Sequence, residues 1–127
     1  MKFVKLWAPV ILWAGLIFYL SAIPDLSTGL KYDFLIRKIG HITEYFVFAS
    51  LLFRAFKGTF NLSDFLLFIY PASLSVLYAI SDEIHQLFVR GRNCSLKDIL
   101  IDTEGIFGFF VVLRINRLLS KAKKEKV

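Results

Sequence analysis

The sequence predicts an all-α integral membrane protein, a bundle of four transmembrane helices in a single domain over residues 1–127. Apolar residues make up 57% of the chain, and 14 of its residues are Phe. A soluble domain averages about 45–50% apolar residues with glycine included. This chain therefore carries more apolar surface than a small core could bury, and its apolar residues fall into four helix-length segments. The uneven placement of Lys and Arg along the chain then predicts an orientation in the bilayer.

The first predicted helix covers residues 6–23. It lacks charged residues and is about as long as the hydrocarbon core of a bilayer requires. Lys2 and Lys5 precede it, a pattern that also suits a secretory signal peptide. Leu20, however, stands where a cleavage site needs a small residue. We therefore expect this segment to be retained as a transmembrane helix.

The third predicted helix covers residues 64–89 and is the other strongly apolar segment. Ser63 or Asp64 is expected to cap its first turn, since short polar side chains accept hydrogen bonds from free backbone N–H groups. Pro71 lies inside it, which transmembrane helices tolerate. This segment is predicted to cross the membrane and to continue for some turns beyond its uncharged part.

The second and fourth predicted helices, residues 39–56 and 96–119, are interrupted by charged residues near their starts. Their interiors, "YFVFASLLF" and "GIFGFFVVL", are nevertheless too apolar for water. Because the charges lie in the first turns, they can reach the interface. "SLKD" at residues 95–98 also resembles a capping box, with Asp in place of the usual Glu or Gln. Four crossings are predicted, and a protein with two crossings is the alternative.

Orientation follows from the Lys and Arg residues at the helix ends. Ten of the 16 lie at the N-terminus, in the second connection or towards the C-terminus, and six lie in the first and third connections. Both termini are therefore predicted to be cytoplasmic. The basic tail, residues 120–127, lacks the interleaved aromatics of a nucleic-acid site and suits a membrane surface instead. We predict no nucleic-acid partner and no particular oligomeric state.

In this orientation, polar residues from three helices and one loop collect at the extracytoplasmic face. Ionisable groups cost free energy in a bilayer, so they persist where they face a partner, a cavity or a substrate. The candidate catalytic residues are His41, Glu44, Asp82 and Glu83. The candidate substrate-binding residues are Tyr45, Gln86, Arg92, Asp98 and Asp102.

The residue types in this cluster suit a phosphorylated lipid headgroup. The guanidinium of Arg92 can hold a phosphate through two hydrogen bonds. His41 is a candidate general base, oriented by Glu44 or Asp82. Asp98 and Asp102 are expected to position Arg92 or a second substrate. The predicted partners are membrane lipids or a lipid-linked cell-wall precursor.

Two other interpretations of the cluster remain open. Its polar side chains can serve only to hold the helices together through hydrogen bonds. A divalent metal is the second alternative, because "HITE" and "DEIH" offer two His and several carboxylates, although their spacing matches no known zinc signature. No cofactor is predicted. His85 is assigned a structural role, Glu104 has no role beyond a local hydrogen bond, and the single Cys94 is expected to be a free thiol.

The residues "KIGHITEYFVFASLLFRAF" and "SDEIHQLFVRGRNCSLKDILIDTEG" resemble the VanZ-like membrane proteins, a family named for a teicoplanin-resistance protein. The likeness extends from "FYLSAIPDLS" to "DILIDTEGIFG". The family's pattern of His, Tyr, Asp-Glu-x-x-Gln, Arg and Asp maps onto His41, Tyr45, Asp82, Glu83, Gln86, Arg92 and Asp98, and Gly105 closes it. Asp102 departs from the pattern, because many members carry Asn there.

The resemblance implies a small bundle of membrane helices, linked in some members to lowered susceptibility to glycopeptide antibiotics. It also implies a suggested kinship with proteins that exchange or hydrolyse lipid headgroups. The expected function is therefore engagement of a lipid headgroup, with hydrolysis or transfer. A non-enzymatic envelope factor that binds or masks a cell-wall precursor is the alternative. A transporter is disfavoured, because transport pathways usually carry polar groups to the midplane of the bilayer.

Overall fold

The computed structural model describes residues 1–24 and 29–125, and every regular element in this part of the chain is an α-helix. The helices are α1 (Lys2–Ser21), α2 (Asp33–Thr59), α3 (Asp64–Gln86) and α4 (Leu96–Glu125). The prediction of an all-α chain with four helices is confirmed for these residues. α2 is the central helix, since it packs against each of the other three and most extensively against α4.

The helices differ from the predicted segments mainly at their ends. α2 begins at Asp33 rather than near residue 39, and Asp33 forms an ion pair of 2.9 Å with Arg37 one turn later. α3 ends at Gln86 rather than at residue 89, and Gly91 then takes a left-handed conformation (φ 76°) in the turn that follows. α4 continues to Glu125, so the described part of the predicted tail is helical. The sequence therefore missed the polar first turns of α2 and the polar last turn of α4, and it extended α3 three residues too far.

Two of the described helices, α1 and α3, are long and apolar enough to cross a membrane. α2 and α4 do not meet that test over the described residues, so four crossings remain a prediction. Many large apolar side chains of α1 and α3 face outward. Among them are Ile11, Leu12, Phe18, Phe65, Leu77 and Ile84. So broad an apolar surface is unusual on a soluble protein and suits contact with lipid.

The two ends of the bundle have different interiors. Aromatic rings fill the end that contains the start of α3 and the second half of α4, where the ring centroids of Phe68 and Phe110 lie 4.8 Å apart. At the other end, the C-terminal ends of α1 and α3 meet the N-terminal parts of α2 and α4. Every residue of the predicted site lies at this second end. Its interior is polar, and Asp82, Glu83 and Asp102 are buried there.

Candidate functional site

α2 and α4 approach closely at Gly105, and this contact sets the geometry of the site. A β-carbon at Gly105 would lie 3.0 Å from the carbonyl carbon of Ile42 and closer still to its oxygen. Only glycine therefore permits the two backbones to pack at this distance. The approach brings the residue next to Ile42, His41, alongside the first turns of α4.

His41 and Asp102 form a hydrogen-bonded pair across this contact, with 3.0 Å between Nδ1 and Oδ1. The Asp102 side chain is fully buried, whereas that of His41 is 23% exposed and borders a cleft. The sequence predicted that Glu44 or Asp82 orients His41. In the structure, Asp102 is the carboxylate that forms the hydrogen bond with its ring. Glu44 lies nearby, close enough to His41 and Asp102 for electrostatic interaction.

A second polar network joins α1 to α3. The hydroxyl of Ser21 donates a hydrogen bond of 2.6 Å to Oδ2 of Asp82. The side-chain amide of Gln86 also donates to that oxygen, at 3.3 Å, and all three side chains are buried. The sequence indicated Asp82 and Gln86 as candidate site residues but gave no indication of Ser21. The only signal was a small polar residue at the end of an apolar helix.

Glu83 connects α3 to the start of α4. Its Oε2 accepts a hydrogen bond of 3.1 Å from the backbone N–H of Ser95, and the hydroxyl of Ser95 accepts one of 3.1 Å from the backbone N–H of Lys97. Ser95 thus caps α4 as predicted, but the reciprocal half of the capping box comes from Glu83 rather than from Asp98. Glu83 consequently holds the first turn of α4 against α3.

Arg92 lies in the loop between α3 and α4 and reaches the end of α1. Its Nη2 donates to the carbonyl oxygen of Leu20 at 3.0 Å, and its Nε donates to that of Ile23 at 3.3 Å. Carbonyl groups at a helix end lack partners within the helix, so the guanidinium satisfies them. Neither Asp98 nor Asp102 forms a hydrogen bond with Arg92 in the described residues, contrary to the expectation that they position it.

A cleft of about 240 Å³ brings these networks together. Arg92, His41, Gln86 and Asp98 border it, so four predicted site residues share one cavity. The first turns of α2 add two basic residues that the sequence did not single out, Arg37 and Lys38, and Phe34 and Ile101 are apolar residues of the lining. Arg37 is paired with Asp33, so Lys38 and Arg92 are the cations that outweigh the carboxylate of Asp98 and suit the cleft to an anion.

Several buried oxygen atoms behind the cleft lack hydrogen-bond partners. They are the Tyr45 hydroxyl, Asp82 Oδ1, Glu83 Oε1 and Asp102 Oδ2. All four side chains are at most 3% exposed. Unsatisfied buried polar groups are costly, so water, protons or a ligand must supply their missing interactions. No set of three or more metal-ligating side chains is gathered for an ion within the described ranges.

Two polar residues near the cleft do not belong to it. The ring of His85 stacks on Phe18, with centroids 4.1 Å apart, which agrees with a structural role. Glu104 is exposed on α4, one position before the buried Gly105. Nine candidate residues lie at this end of the bundle, and His41, Gln86, Arg92 and Asp98 are the four of them that line the cleft. These nine are His41, Glu44, Tyr45, Asp82, Glu83, Gln86, Arg92, Asp98 and Asp102.

Comparison with known proteins identifies sequences that are similar to this chain. A profile of the VanZ/LLP1 family matches residues 5–117. The chain is 33% identical over 118 residues to "Uncharacterized membrane protein YwnJ" of Bacillus subtilis (strain 168), covering 87% of this chain and 74% of that protein. No solved structure matches the chain.

Proposed function

The chain belongs to the VanZ/LLP1 family of membrane proteins, and we propose that its cleft engages the headgroup of a phospholipid or lipid-linked envelope precursor and hydrolyses or transfers it. One observation carries the proposal: His41, which is hydrogen-bonded to the buried Asp102, lines the same cleft as Arg92. An acid–base group beside a fixed cation is the minimum that phosphoryl chemistry requires.

The proposed topology has four crossings, with both termini in the cytoplasm and the cleft at the extracytoplasmic face. The distribution of Lys and Arg supports this orientation. Charged residues weaken α2 and α4 as candidate membrane spans. One of them, Asp102, is nevertheless fully buried against His41 rather than exposed to lipid, and this burial is compatible with a crossing. The cleft and the lipid headgroups would then lie at the same depth in the bilayer.

Cys94 gives a direct test of this topology, because it is a free, exposed thiol in the loop beside the cleft. In intact cells we expect a membrane-impermeant maleimide to label wild-type protein, with no added labelling after lysis. The chain has no other cysteine, so Cys94→Ser is the control for specificity. Labelling that occurs only after lysis would place the loop in the cytoplasm.

In the proposed reaction, His41 accepts a proton from water, or from an acceptor hydroxyl, as that oxygen bonds to phosphorus. The bond between phosphorus and the departing oxygen breaks, and His41 returns the proton to that oxygen. Asp102 holds the imidazole and stabilises its charged form, as carboxylates do in other acid–base pairs. Arg92 holds the phosphate, while Glu44, Asp82, Glu83 and Gln86 orient water or substrate.

Lipid profiling tests the proposal. Wild-type protein, His41→Ala, Asp82→Asn and Arg92→Lys are expressed at matched levels, and membrane lipids are compared by mass spectrometry. We expect a change in headgroup species with wild type and its reduction by about 10²-fold or more in His41→Ala. Asp82→Asn and Arg92→Lys should also reduce it, the latter because Lys keeps the charge but loses the planar fork.

His85→Ala is the matched control, since it removes a histidine at the same end of the bundle but outside the cleft. It should keep the wild-type lipid change. If the wild-type protein leaves every lipid unchanged while still lowering susceptibility to teicoplanin, the proposal that the cleft is catalytic is wrong. The alternative, an envelope factor that binds or masks cell-wall precursor, would then account for the cleft.

A further inference from the structure

A second cavity, of about 1050 Å³, opens at the end of the bundle opposite the cleft, between α2, α3 and α4. We call it the basic groove. Its wall is aromatic and comprises Phe53, Phe65, Phe68, Phe107 and Phe110. Phe65 is 69% exposed and Phe107 is 45% exposed, so two of these rings present apolar surface that the chain itself does not cover. The groove shares no residue with the cleft.

The rim of the groove is strongly basic. It carries Lys57, Arg114, Arg117 and Lys121, against one acidic residue, Asp64. Asp64 pairs with Arg117 at 3.3 Å. Arg114 and Lys121 are exposed and form no ion pair within the described ranges. Two cations therefore stand unneutralised beside an apolar wall.

The sequence spacing explains why the cations share one side of α4. Arg114, Arg117 and Lys121 are separated by three and four residues, the spacing that places side chains on one helix face. The ring of Phe53 joins wall and rim, since the Lys57 ammonium lies 5.9 Å and the Arg117 guanidinium 5.8 Å from its centroid. A ligand here would meet an anion-binding end and an apolar end.

We propose that the basic groove binds an anionic phospholipid, with an acyl chain along the aromatic wall and the phosphate between Arg114 and Lys121. The charge of the rim and the apolar wall match the two ends of such a lipid. Basic pockets between membrane helices are known to bind anionic headgroups, and each basic residue adds to that attraction. This lipid is a bound neighbour of the bundle and is separate from any substrate of the cleft.

Native mass spectrometry tests the site. The full chain is released from micelles that contain equal amounts of phosphatidylglycerol and phosphatidylcholine with the same acyl chains. Wild type is expected to retain phosphatidylglycerol in preference. In the double variant Arg114→Gln, Lys121→Gln, the ratio of retained phosphatidylglycerol to phosphatidylcholine should fall about 30-fold, because two basic contacts with the anionic headgroup are lost.

The matched control is Lys123→Gln, Lys124→Gln, which removes the same charge from the same helix at positions that do not line the groove. It should keep the wild-type preference. Val111→Trp, which fills the groove from an exposed position, should lower retention of both lipids. Equal losses in the two double variants would overturn the proposal, as would full lipid retention by Val111→Trp. Lipid-free particles of two chains would identify the groove as a dimer interface instead.

Discussion

Replacing Gly105 with Ala is expected to lower the free energy of unfolding by about 3 kcal/mol, the upper range for overpacking a tightly packed site. The new β-carbon would lie 3.0 Å from the carbonyl carbon of Ile42 and nearer still to its oxygen. Backbone atoms of α2 cannot rotate away as a side-chain tip can. α2 and α4 must therefore move apart, which also separates His41 from Asp102. Thermal unfolding in detergent measures the loss.

Gly108→Ala is the matched control, one turn further along α4. Its β-carbon would contact only the Phe46 ring, at an ordinary 3.8 Å. Alanine also has a higher helix propensity than glycine, by about 1 kcal/mol. We therefore expect Gly108→Ala to unfold at the same temperature as wild type or above it. Equal stability of the two variants would mean that α2 and α4 do not pack as closely as described.

The polar cluster could be predicted from the sequence because ionisable side chains cost free energy in a membrane helix and are kept only where they have a partner or a function. Asp82, Glu83 and Asp102 lie in apolar helices, and unpaired charges there would prevent stable insertion. All three are buried at the same end of the bundle, each with its own hydrogen-bond partner rather than with one another. Pairing was harder to predict. His41 is 61 residues from Asp102, and their contact depends on the distance between two backbones, which local spacing does not reveal.

Other features were hidden because they depend on loops and helix ends. Ser21 gave no distinct signal, since serines in membrane helices commonly bond to their own backbone, as Ser75 does here to the carbonyl of Pro71. The contact of Arg92 with the end of α1 requires a particular loop conformation, which composition does not encode. Arg37 and Lys38 were counted only as loop charges, because hydropathy gave no sign that α2 begins at Asp33.

Arg92 has a structural role at the end of α1 and a proposed role in the cleft. Its guanidinium satisfies carbonyl oxygens at the end of α1 and also borders the cleft. Glu83 is similar, since it holds the start of α4 while its second oxygen stays buried without a partner. Arg92 thus fixes a helix end and also lines the cleft, whereas Glu83 is fully buried behind it and acts on the fold. Substitutions here need stability and activity measured together.

Asp102→Leu is expected to lower both stability and activity. Asp102 is fully buried, and its Oδ2 has no hydrogen-bond partner. Leu is larger than Asp, and it leaves Nδ1 of His41 without its acceptor, so the melting temperature should fall. The headgroup conversion per folded protein should fall by about 10²- to 10⁴-fold, because His41 loses the acceptor that orients its ring.

Asp102→Asn completes the comparison, because the oxygen of its amide can still accept a hydrogen bond from Nδ1 of His41. We expect it to keep the conversion within about tenfold of wild type if orientation of the ring is the main contribution. Glu104→Gln, an exposed acid on the same helix, controls for loss of charge and should leave both measurements unchanged. An Asp102→Leu variant that is less stable but keeps full conversion per folded protein would reduce the His41–Asp102 pair to a contact that only holds α2 against α4.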